Sequence, residues 1–74
     1  MKKTIKEVWK DIPQGSRNAI INEVVMKGGT SYPAVLTWVK EERKPRFLYM
    51  QLLADTISKH TGQEYTVDDL FPEK

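Results

Sequence analysis

Apolar residues recur along this chain at helical spacing, and successive segments take up the pattern in turn. In the first, Ile5, Val8, Trp9 and Ile12 fall at i, i+3, i+4 and i+7, with Lys6, Glu7 and Lys10 outside, so Thr4 to Asp11 reads as a short amphipathic helix. Pro13-Gln14-Gly15 breaks it, and Ser16 is placed to cap the next helix with its side-chain oxygen. The second helix runs to Lys27, with Ala19, Ile20, Val24 and Val25 as its inner face and Ile21 widening the stripe. Met26 reads as core or rim packing. The pair Gly28-Gly29 then ends the helix, because glycine enters a left-handed turn without a Cβ penalty.

A third helix is expected from Tyr32 to about Glu42, capped by Thr30 or Ser31, with Pro33 in the first turn where its missing N–H costs nothing. Val35, Trp38 and Val39 should face the core, with Trp38, the one large side chain on that face, at its centre. Tyr32, Pro33, Leu36, Thr37 and Lys40 are left facing outward. Val35-Leu36-Thr37-Trp38-Val39 is also rich in strand formers, but no nearby segment offers a partner strand and a lone strand does not persist. Lys44-Pro45 stops the helix.

The longest periodic segment is Arg46 to His60. Phe47, Met50, Leu53, Ala54 and Ile57 form one face, Leu48 and Leu52 broaden it, and Thr61-Gly62 closes it. Thr66 caps a final turn whose Asp68 and Asp69 sit where the helix dipole favours anions, and Leu70 and Phe71 should pack back onto the core before Pro72 ends the fold. The expected fold is all-α, a small bundle of about five helices.

Composition narrows what such a bundle can do. A chain of 74 residues has room for a single domain, 1–74, and one modest core, with no ordinary enzyme pocket. There is no cysteine, which excludes disulfides and thiolate zinc sites and suits a reducing interior. Met1-Lys2-Lys3 is basic but no apolar run follows it, so neither a signal peptide nor a membrane span is expected, and a cytoplasmic protein is. The net charge of +2 is unevenly spread: residues 1–46 hold ten Lys/Arg against five Asp/Glu, and residues 47–74 hold two against five, giving +5 and −3. A basic front and an acidic back would orient the domain toward a polyanion, although small domains also vary this much by chance.

Catalytic material is scarce. His60 is the only histidine and has no thiol or second imidazole beside it. Asp68 and Asp69 are adjacent in a helix and do not point at one spot, so capping explains them better than metal or acid–base chemistry. No glycine-rich phosphate loop or Ser-His-Asp set is present. Neither enzyme activity nor a cofactor or metal is expected.

The run from Gly29 to Phe71 resembles the lambda-repressor and Cro-like (XRE-type) helix-turn-helix family of small repressor domains. Three segments carry the likeness. Gly-Thr-Ser-Tyr-Pro-Ala-Val-Leu-Thr-Trp, 29–38, is similar to the family's turn and recognition helix; Arg-Lys-Pro-Arg-Phe-Leu, 43–48, to the loop and start of helix four; and Thr-Val-Asp-Asp-Leu-Phe-Pro, 66–72, to the closing helix. The resemblance implies a helix-turn-helix bundle, with a recognition helix at about 32–42, that binds double-stranded operator DNA as a homodimer. By position it implies that Tyr32, Pro33 and Thr37 read base edges, that Arg43, Lys44 and Arg46 meet phosphates or the minor-groove edge beside Lys40, and that Ser16 and Arg17 lie near another phosphate. Two positions depart from the pattern: Val25 stands where the family prefers a small residue, and Gly28 where it prefers an apolar one.

The expected function is therefore a sequence-specific DNA-binding regulator or phage-type repressor. The main rival is a protein-binding module on the same fold, using Tyr32, Leu36 and Val39 as an apolar patch; RNA binding is a weaker third.

Overall fold

The computed structural model describes Thr4 to Pro72 and, among those residues, is built from helices alone. They are α1 (Ile5–Asp11), α2 (Gln14–Gly28), α3 (Tyr32–Val39), α4 (Phe47–Thr61) and α5 (Val67–Leu70). α2 packs most extensively on α4 and next on α3, α5 closes against α4, and α1 bridges α3 and α5. The core lies between these faces: Ile5, Val8 and Ile12 from α1 and its exit meet Ile20, Ile21 and Val24, Val35 and Val39, Leu53, Ala54 and Ile57, and Leu70. Most of these positions are the ones that helical periodicity assigns to the inside.

Caps define most of the boundaries. Ser31 Oγ accepts the Ala34 amide at 3.4 Å to open α3, with Pro33 in its first turn. Thr66 and Asp69 form a reciprocal capping box on α5, Thr66 N donating to Asp69 Oδ2 at 3.1 Å and Asp69 N to Thr66 Oγ1 at 3.2 Å. Gly29, at φ +66°, ends α2 in the left-handed region as expected.

Several expectations are corrected. Ser16 does not cap α2: the helix begins at Gln14, Pro13 holds the extended cap conformation, and its carbonyl accepts Arg17 N at 2.9 Å. Ala19 is exposed rather than inward. α3 ends at Val39, not near Glu42, because Glu41 N donates to Trp38 O at 3.2 Å and Glu42 N to Thr37 O at 2.9 Å, the paired bonds of a Schellman motif. Leu36 and Thr37 are half-buried. Trp38 is also half-buried instead of central, and the well-buried tryptophan is Trp9, 8% exposed. Phe47 and Leu48, expected inside, are 68% and 72% exposed, because their side of the first turn of α4 is not covered by a neighbouring helix. Met26 is fully out at 84% exposed.

Trp38 lies against Tyr49, ring centroids 4.8 Å apart and planes tilted by 34°. Tyr49 Oη donates to the Gly28 carbonyl at 3.0 Å, and a Cβ built on Gly28 would sit 2.8 Å from Tyr49 Cε1. The Tyr49 ring thus occupies the space that a side chain at position 28 would need, and only glycine leaves it free.

At the other end of α4, Glu23 of α2 accepts from Lys27 Nζ at 3.1 Å and Lys59 Nζ at 3.4 Å and lies 3.3 Å from His60 Nε2. The Lys27 hydrogen bond is the chief cause holding Glu23 below the ordinary glutamate value; burial opposes it, and His60 and the lysine charges reinforce it.

Gly28→Ala should cost about 1–3 kcal/mol, because the new methyl must displace a stacked ring. Gly15→Ala, with open space around its Cβ position, should be neutral or stabilising. Guanidinium denaturation of the pair checks this, and equal midpoints would contradict the packing of Tyr49. A depressed carboxylate stabilises the fold above its unfolded-state value of about 4.3, and the contribution is lost as pH falls through the folded-state value. Glu23→Gln should accordingly flatten the fall in stability below about pH 4.3. Parallel denaturation series at descending pH measure the difference.

Candidate nucleic-acid interface

α3 is eight residues long, so about 12 Å of axis separates Tyr32 from Lys40. At its start Tyr32 is 40% exposed and Pro33 is exposed, while Val35 and Val39 anchor the opposite side in the core. Tyr32 Oη donates to Asn18 Oδ1 at 3.3 Å, an oxygen that also accepts Gln14 Nε2 at 3.2 Å. The first turns of α2 and α3 therefore share one exposed polar surface. Gln14 and Asn18 belong to it although nothing in the helical pattern singles them out; their only trace in the sequence is a pair of amides at i, i+4.

Thr37 is more constrained. Its Oγ1 donates to Ala34 O at 2.6 Å, so the hydroxyl proton is committed inside the helix and only its lone pairs and methyl remain for an outside group. Ser16 is half-buried at the third position of α2. Arg17 is spent on the fold: Nε donates to Trp9 O at 3.1 Å and Nη2 to Lys10 O at 3.0 Å, capping the C-terminal end of α1. Only the rest of its guanidinium is available to a phosphate.

The loop between α3 and α4 is different. Lys40, Arg43, Lys44 and Arg46 are exposed, and none has a side-chain hydrogen bond or ion pair with a described residue. Exposed cations on a short loop are groups able to neutralise phosphates, and here they share the loop with the exposed Glu41 and Glu42. Arg43 and Lys44 border a concavity of about 390 Å³ with Trp38 and Phe71, and Thr4 and Pro72 lie on the same rim. Immediately beyond Arg46 stand the exposed Phe47 and Leu48. Periodicity hid them, because Phe47 lies three residues before buried Met50 and so carries the phase of the core.

No group of three or more His, Asp or Glu side chains that could hold a metal occurs among the described residues. No helix among them is long and apolar enough to cross a membrane. Compared with protein-family models, with curated proteins and with solved structures, the chain finds no match.

The two arginine roles separate experimentally. Arg17→Met should lose about 1–3 kcal/mol with the charged hydrogen bonds to α1, whereas Arg43→Gln should stay within about 0.5 kcal/mol of the parent. Denaturant unfolding of each variant decides the assignment; an Arg17→Met protein as stable as the parent would return that guanidinium to the surface set.

Proposed function

We propose that this protein is a sequence-specific, double-stranded-DNA-binding regulator of the Cro-like kind, acting as a homodimer in the cytoplasm by setting α3 into the major groove. The observation that carries the proposal is the placement of four cations without a partner among the described residues, Lys40, Arg43, Lys44 and Arg46, on the loop that leaves α3, whose first turn exposes Tyr32 and Pro33 beside Asn18. On this reading the loop cations neutralise phosphates, while Tyr32 and Pro33 offer a hydroxyl, a ring and an apolar edge to the bases. Thr37 contributes an acceptor and a methyl group. No catalytic step is involved. The likeness of residues 29–71 to repressor domains supports the same reading.

A protein-binding role is the second reading, and the exposed Phe47 and Leu48 favour it. The apolar patch expected from Tyr32, Leu36 and Val39 does not, since Val39 is fully buried.

Selection of bound duplexes from a random pool should yield a base preference with two-fold symmetry. Affinity should fall with salt at a log–log slope of about −0.9 per phosphate neutralised, so roughly −3 to −4 for each protomer if all four cations engage. Tyr32→Ala should relax the preference by about 1–3 kcal/mol at one position per half-site and leave non-specific binding in place. A protein that binds no duplex, or binds with no dependence on salt, would shift the assignment to a protein partner.

A further inference from the structure

Glu41 stands in the left-handed region at φ +61°, the only described residue other than glycine to do so. It occupies the position after the α3 cap at which a Schellman motif ordinarily holds glycine, since a Cβ is disfavoured there. Its side chain shows what keeps it in place: Oε2 accepts the backbone amide of Lys6 at 3.0 Å, across a separation of 35 residues. That amide is one of the first-turn donors of α1 that have no partner inside the helix. A second donor of that turn is met locally, Thr4 N donating to Glu7 Oε1 at 3.2 Å. Glu41 thus closes the end of α3 with its backbone amide, caps α1 with its carboxylate, and ties the two helices together.

The tie falls at the root of the loop that carries Arg43, Lys44 and Arg46. The loop's other anchors are the Glu42 and Arg43 amides on Thr37 O, at 2.9 and 3.3 Å, and the buried Pro45. We infer that Glu41 is a positioning residue: by bonding the α1 terminus it fixes the course of the loop, and so holds Arg43 and Lys44 where they meet the phosphate backbone. The inference rests on the DNA-binding reading above and adds a regulator of its affinity that touches no DNA.

The test compares Glu41→Gln with Glu41→Gly. Both remove the same charge, so any general electrostatic gain is shared. Glutamine keeps a carbonyl that can accept the Lys6 amide; glycine suits the left-handed backbone but cannot make the bond. Glu41→Gly should fold with a melting temperature near the parent's. At 0.1 M salt it should bind duplex DNA about eightfold more weakly than Glu41→Gln for each phosphate that the loop no longer neutralises, with a salt slope shallower by about 0.9. Hydrogen exchange of the Lys6 amide should be fast in the glycine variant and slow in the parent and glutamine variant. Glu41→Asn, which tolerates the left-handed region but is too short to reach Lys6, should repeat the glycine result and serves if the glycine protein does not fold. Equal affinities and slopes for the glutamine and glycine proteins, with the parent binding DNA, would overturn the inference and leave the functional reading standing. A parent with no affinity for any duplex would overturn both.

Discussion

Three helices meet at one close contact, the ring of Tyr49 lying where a side chain on Gly28 would be. The ring's hydroxyl satisfies the Gly28 carbonyl, one of the terminal acceptors that α2 cannot satisfy within itself. Its face carries Trp38. Because Tyr49 belongs to α4, Gly28 to α2 and Trp38 to α3, the relative placement of the helices that bear the candidate interface depends on one residue having no Cβ. The short link Gly29-Thr30-Ser31 then leaves α3 little freedom to move off the surface of α2. Tyr32 on Asn18 adds a polar contact at the outer edge of the same junction.

What the sequence made legible was local in origin. Ser31, Thr66, Asp69 and Gly29 act through groups within three or four residues of themselves, and each does what its residue type and spacing suggest. The inner faces of α1 and α2 follow from period 3.6 in the same way, apart from Ala19, whose small side chain carries little weight in either direction. What escaped depends on distant neighbours. Trp38 is set by Tyr49, Glu41 by the Lys6 amide, and Arg17 by the end of α1, none of which follows from periodicity along the chain. Phe47 shows the same limit from the opposite side. Its phase is that of the core, but periodicity cannot say where along α4 the neighbouring helices stop.

The candidate interface follows this division. Tyr32, Pro33 and the loop cations are surface residues by composition and by structure alike, whereas Arg17 and the hydroxyl proton of Thr37 have been drawn into the fold. Two arginines that look equivalent in the sequence therefore differ in kind. A guanidinium on helix-terminal carbonyls is committed before any ligand arrives, and one on an open loop keeps all five donors for it.

The packing of α1 beside α5 brings the two ends of the described chain to a common place. Thr4 and Pro72 share the rim of a concavity with Arg43 and Lys44. An anion seated in that concavity would therefore touch the first and last described parts of the fold as well as the two cations.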